Sequence, residues 1–175
     1  MKKKLCVATY VFGELYQQYI PIYIYSLLKN YPEYTPIIFS ELPLKVNIKK
    51  QLEIVRELGD FTIYESYSYG YYKLMGQRAE ALRWLLIHKN FYNYNAVYIG
   101  DIDIFFAREI PPIYDQHIKH CDVIGLPYSN IVRVFKKNRD INEILNSCKE
   151  SGIIGVFYTL INISSIDKKL TGLHF

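Results

Sequence analysis

Ala96-Val-Tyr-Ile-Gly-Asp101-Ile-Asp103-Ile-Phe-Phe106 sets two aspartates, one residue apart, between two runs of strand-forming residues. Ala96 to Ile99 has the β-branched and aromatic character of a buried strand. Gly100 supplies backbone freedom for a turn. Asp101 and Asp103 are then expected to emerge at the carboxyl end of a strand, where open α/β sheets place their ligand crevice. Residues i and i+2 share a side in extended backbone, so both carboxylates can face one site. Such a pair suits Mg²⁺ or Mn²⁺, and a metal of that kind binds phosphate. A polar turn would also use aspartate. Two carboxylates between apolar runs are costly to bury without partners, however, which favours binding.

Outward from this point the chain alternates strands and helices. Strands are expected at 5–10, 37–40, 61–64, 96–99, 104–106, 123–126 and 156–163. Helices are expected at 15–30, with Pro21 near its first turn or kinking it, and at 48–58, with Leu52, Val55 and Leu58 on one face and Gly59 as its stop. Further helices are expected at 74–89, at 112–120 and at about 140–148. The alternation predicts an α/β fold with a parallel sheet. No internal repeat or linker divides the chain, so residues 1–175 read as a single domain.

Composition narrows the function. Half of the 175 residues are apolar, which excludes a disordered chain, and the net charge is only +4. Lysines at 2–4, 136–137 and 168–169 are too scattered for a nucleic-acid stripe, so no nucleic-acid partner is expected. At most they allow a peripheral contact with an anionic membrane. The three cysteines, Cys6, Cys121 and Cys148, are odd in number and widely spaced, as in a reduced, cytoplasmic protein. The basic start is interrupted by Glu14 and lacks a small-residue cleavage site, so it reads as a flank to the first strand rather than a secretion signal.

The segment Arg83 to Asp103, with helix, basic residue, strand and Asp-x-Asp in that order, resembles the core of GT-A glycosyltransferases. It is most similar to family 8, which includes bacterial lipopolysaccharide glycosyltransferases and glycogenin. Asp101, Asp103, Ile104 and Phe105 match the motif, and Arg83 falls close to the expected basic position. Val7-Ala8-Thr9-Tyr10 is similar to the family's first strand. The resemblance covers residues 5 to 127 or so and implies a Rossmann-like GT-A fold. It further implies transfer of a sugar from a nucleotide-diphosphate donor, a uridine one, to a glycan or lipid-linked acceptor, with retention of configuration. Asp103 would contact Mn²⁺ or Mg²⁺ directly, and Asp101 would bridge metal and ribose. Arg83 would meet the donor phosphates, while Ala8, Thr9 and Tyr10 would hold base and ribose.

The chain departs from the family in lacking the late His-x-x-Gly motif that supplies a third metal ligand. His174 has the wrong context for that role. The sequence thus reads as a GT-A domain without its C-terminal elements. Two alternatives follow: a domain that binds a nucleotide sugar without turnover, and a haloacid-dehalogenase-like phosphatase. In the latter the first Asp is the nucleophile, but the motif continues with Thr or Val near the amino terminus.

Other residues read more plainly. Arg78 rivals Arg83 for the phosphate. Trp84 reads as core, and Tyr128-Ser129-Asn130 as a polar loop on the sugar or acceptor side. Asp115, His117, His120 and Cys121 form a cluster that zinc could use, with His117 and Cys121 one helical turn apart, yet no second ligand pair accompanies it, so helix surface is the better reading.

Overall fold

In this computed structural model the described residues are 3–67 and 86–129. The chain divides into two compact units, Met1–Phe106 and Ala107–Phe175.

The first unit is built on four parallel strands, β1 (Lys3–Val11), β2 (Thr35–Ser40), β3 (Thr62–Tyr64) and β4 (Tyr94–Ile99), in the order β3-β2-β1-β4. The expected α/β fold with a parallel sheet is present. β1 is central: Ala8 pairs with Ile37 on one side and Ile99 on the other. Strands buried on both faces have continuous apolar sequence rather than alternation, and β1 is buried from Leu5 to Val11. Because all strands run the same way, Val11, Ser40, Tyr64 and Ile99 end on one edge.

One face of the sheet packs Cys6, Ala8 and Tyr10 with Ile37, Phe39, Leu86 and Tyr94. An aromatic group extends it: Phe39 stacks on Tyr64 at 5.1 Å and meets Tyr67 and His88 edge-on. On the other face Tyr98 packs on Phe106, which also meets Tyr23 at 5.1 Å. Tyr23 belongs to α1 (Ile20–Asn30), which is buried from Ile20 to Leu28 and contacts β2 and α2 (Val46–Arg56). A single 3₁₀ turn, Leu15–Tyr19, precedes α1, and Pro21 lies in its first turn, where a missing N–H is harmless.

Several sequence expectations need correction. α2 buries Ile48, Leu52 and Val55 but leaves Leu58 exposed, because the helix stops at Arg56 and Glu57 caps it. Gly59 follows the Glu57 cap by two residues at φ +157°, and a Cβ there would stand 3.5 Å from Leu28. The helix expected over 74–89 falls mostly outside the described residues. Its end does not hold: His88 is extended and its Nδ1 accepts the Asn90 N–H, opening a 3₁₀ turn at Lys89–Asn93. Residues 104–106 form no strand, because the Phe106 backbone bonds to side chains of α1 instead.

In the second unit α3 (Ile113–Ile124) starts after Pro112, as the sequence indicates, but runs through Val123 and Ile124. Gly125, at φ +67°, ends it in the left-handed conformation, so the strand expected at 123–126 is a helix end and its turn. Gln116 holds the start of α3, its Nε2 donating to Glu109 at 2.7 Å and to the Pro111 carbonyl at 2.6 Å. The helix expected at 140–148 and the strand at 156–163 lie outside the described residues. No helix among the described residues is long and apolar enough to cross a membrane.

Candidate functional site

Asp101 and Asp103 follow β4 directly, at the carboxyl edge of the sheet. The segment that carries them is fastened at both ends. At its start the Thr9 hydroxyl donates to the Gly100 carbonyl at 2.8 Å, and the Gly100 N–H reaches the Ala8 carbonyl at 3.3 Å. At its end the Phe106 N–H donates to Ser26 Oγ at 3.2 Å, and Asn30 Nδ2 donates to the Phe106 carbonyl at 2.9 Å. Between these anchors Ile102 is buried, which leaves Asp101 half-buried and Asp103 exposed. The backbone turns at Ile102–Asp103.

Gly100 has a different reason from the one its sequence context offers. Its φ is not in the left-handed region; instead an added Cβ would stand 2.6 Å from Cε1 of Tyr98. The Tyr98 ring lies folded beneath it, buried and packed on Phe106. The position needs a missing side chain rather than a special backbone.

The three residues of β1 expected at the donor are placed close by, with their side chains turned to structural work. Ala8 and Thr9 are wholly buried, and Tyr10 is nearly so, its hydroxyl donating to the Tyr67 carbonyl at 3.2 Å. Thr9 is bonded to the segment that presents the aspartates. Arg83, Arg78 and Trp84 lie outside the described residues.

The remaining edge is shaped by the loops after β1 and β2. Gly13, at φ +71°, turns the chain and its N–H donates to Glu41 at 2.9 Å. Gln17, fully buried, binds the next loop twice, giving a proton to the Pro43 carbonyl and accepting one from the Lys45 N–H. Ion pairs Glu14–Lys45 at 2.8 Å and Lys49–Glu65 at 3.0 Å lie at the surface and add little stability. Glu65 also accepts the Leu44 N–H. Burial opposes the Glu65 charge, but that bond and Lys49 outweigh it and hold the carboxyl below its ordinary range.

Sequence reasoning missed Tyr19. Burial first, then the negative field of Asp103 and the neighbouring Tyr16, push its phenol above the ordinary value, against a hydrogen bond with Gln18. The proximity of residues 19 and 103 is a product of the parallel topology, and no local signal records it. Tyr16 stacks obliquely on Tyr19 at 5.9 Å and, with Phe12 and Leu15, leaves an exposed aromatic and aliphatic lip after β1.

Among the described residues no group of three His, Cys, Asp or Glu side chains gathers to hold a metal. The turn at Ile102–Asp103 replaces the extended backbone expected to set both carboxylates on one side, yet each remains an oxygen donor at the carboxyl edge of the type a hard divalent cation takes. Mg²⁺ and similar ions are held by one or two carboxylates, keep several waters and take their remaining ligands from substrate phosphates. In the second unit Asp115 is exposed and Cys121 is a half-buried free thiol, whereas His117 and His120 both lie against Ser129. No protein-family model matches the chain, and no curated protein matches it.

Proposed function

We propose that this chain is a metal-dependent glycosyltransferase that moves a sugar from a nucleotide-diphosphate donor, of the uridine class, to a glycan or lipid-linked acceptor, with retention. The observation that carries the reading is the Asp101–Asp103 segment, pinned at both ends at the carboxyl edge of a parallel sheet. A crevice in that position is where α/β sheets bind nucleotides. A GT-A architecture is the finer form of the observed fold that this reading requires.

Asp101 and Asp103 would hold a Mn²⁺ or Mg²⁺ ion, which when bound would neutralise charge on the departing diphosphate. The chain's own residues divide the remaining work. Asp103, exposed, faces the donor diphosphate, and Asp101, half-buried beside Gly100, orients toward the ribose. Thr9 and Ala8 fix the height of this segment above β1 by their bonds to Gly100. The lip of Phe12 and Tyr16 offers aromatic faces to a base or sugar, where burial of ring surface outweighs hydrogen bonding. Arg83 keeps the phosphate role that the resemblance implies.

The test is a panel of nucleotide sugars assayed for nucleotide-diphosphate release, with and without Mn²⁺, on the wild type and Asp103→Ala. Release should require metal and fall at least tenfold in the variant. Release that survives both chelation and Asp103→Ala would overturn the reading. Inorganic phosphate liberated from simple phosphoesters would replace it with a phosphatase.

A further inference from the structure

Helix α3 carries two histidines that the sugar-transfer reading leaves unused. His117 and His120 are three residues apart and share a helix face. Gly125 then reverses the chain, and the N–H groups of Gly125 and Leu126 both close on the Cys121 carbonyl. The returning segment carries Ser129 back to the helix. Its Oγ lies 2.7 Å from Nδ1 of His117 and 2.9 Å from Nδ1 of His120.

A hydroxyl has one proton to give. Ser129 can therefore donate to only one ring, and the other ring must donate its own N–H to Oγ. Both imidazole nitrogens are thus aimed at one spot, the one that Ser129 Oγ occupies, and all three residues are half-buried, partly dry yet reachable from solvent.

We propose that His117 Nδ1, His120 Nδ1 and Ser129 Oγ form a binding site for a borderline divalent transition-metal ion such as Zn²⁺. Imidazole nitrogen selects Zn²⁺, Ni²⁺ or Cu²⁺ over Mg²⁺, so the site differs in chemistry from the aspartate pair. Tetrahedral coordination at about 2.0–2.1 Å sets neighbouring donors about 3.3–3.4 Å apart. An ion at about 2.0–2.1 Å from each nitrogen falls within about 1 Å of where Oγ now lies, so Oγ has to swing away by more than about 1 Å, which a change of the Ser129 rotamer supplies. No net proton need leave: the ring that donates Nδ1–H becomes the Nε2–H tautomer, and the hydroxyl stays neutral. Water completes the shell. With a hydroxyl as third donor the site is weaker than a closed structural zinc site, and its occupation fastens the chain beyond Gly125 to α3.

The inference does not depend on glycosyl transfer, and its test uses the metal alone. The full chain is titrated with Zn²⁺, and with Co²⁺ for its visible absorption, in excess Mg²⁺ that occupies the carboxylates. One equivalent should bind. His117→Asn and His120→Asn keep a polar atom near the Nδ1 position for Ser129 while removing the ligand, so apo melting temperature should hold and affinity fall at least tenfold. Ser129→Ala should weaken binding severalfold. Absence of saturable binding, or Asn variants or Ser129→Ala that titrate like the wild type, would overturn the site. So would binding that disappears only with Cys121→Ser, which assigns the ion to the thiol.

Discussion

Thr9→Val removes one proton donor from the interior while keeping the shape of the side chain. Thr9 is wholly buried, and its hydroxyl spans 91 residues of sequence to the Gly100 carbonyl at 2.8 Å. Valine fills the same volume, so no cavity opens. The carbonyl loses its hydroxyl partner inside a packed sheet, which costs about 1–3 kcal/mol. For a chain of this size each kcal/mol lowers the melting temperature by about 2–4 °C, so a fall of about 2–12 °C is expected. Thr9→Ser keeps the donor and loses a methyl group, which separates hydrogen bonding from packing. Thermal unfolding by circular dichroism reads stability, and Mn²⁺ titration reads the position of the aspartates. Thr9→Val should weaken Mn²⁺ binding more than Thr9→Ser does, even where the two melt alike. A Thr9→Val protein that melts within about 1 °C of the wild type and binds Mn²⁺ unchanged would refute the role given to this bond.

Gly100→Ala drives a methyl into the Tyr98 ring and should destabilise by about 1–3 kcal/mol, with Tyr98→Leu relieving part of the loss; chemical denaturation checks both. The Tyr23 hydroxyl is wholly buried and meets no hydrogen-bond partner among the described residues, so Tyr23→Phe should leave stability unchanged or raise it, read as the urea midpoint. Burial pushes the Cys6 thiol from 9.0 up to about 12. Iodoacetamide mapped by mass spectrometry at pH 8 should therefore modify half-buried Cys121 well before Cys6. The same shift has a defined sign. A raised folded value favours the protonated state, so the contribution of Cys6 is complete below pH 9 and is lost as pH rises toward 12. Unfolding midpoints followed from pH 8 to 11 should fall, and fall less in Cys6→Ala.

The sheet was legible because its strands are near-continuous runs of apolar and β-branched residues, as Leu5 to Tyr10 and Ala96 to Ile99 are. The carboxyl-edge position of Asp101 and Asp103 followed from the same pattern. Elsewhere the local signal was overridden by distant partners. Ile104 to Phe106 has strand composition, but Ser26 and Asn30 of α1 take the Phe106 backbone bonds that a strand would need. Val123 and Ile124 favour strands on their own, yet the helix begun after Pro112 propagates through them until Gly125 can adopt positive φ. The reason for Gly100 was misplaced, because the Tyr98 ring beneath it is set by packing on Phe106. Tyr19 feels the charge of Asp103 across the parallel sheet, and Ser129 returns to His117 and His120 around the Gly125 turn; helical or strand spacing announces neither.

Whether Asp101 and Asp103 seat a metal-bound nucleotide diphosphate is read by calorimetric titration of the chain with uridine diphosphate, in Mn²⁺ and in chelator. Saturable binding should appear in Mn²⁺, vanish on chelation and weaken at least tenfold in Asp103→Ala that melts like the wild type. Binding of equal strength in Mn²⁺, in chelator and in the variant would contradict it.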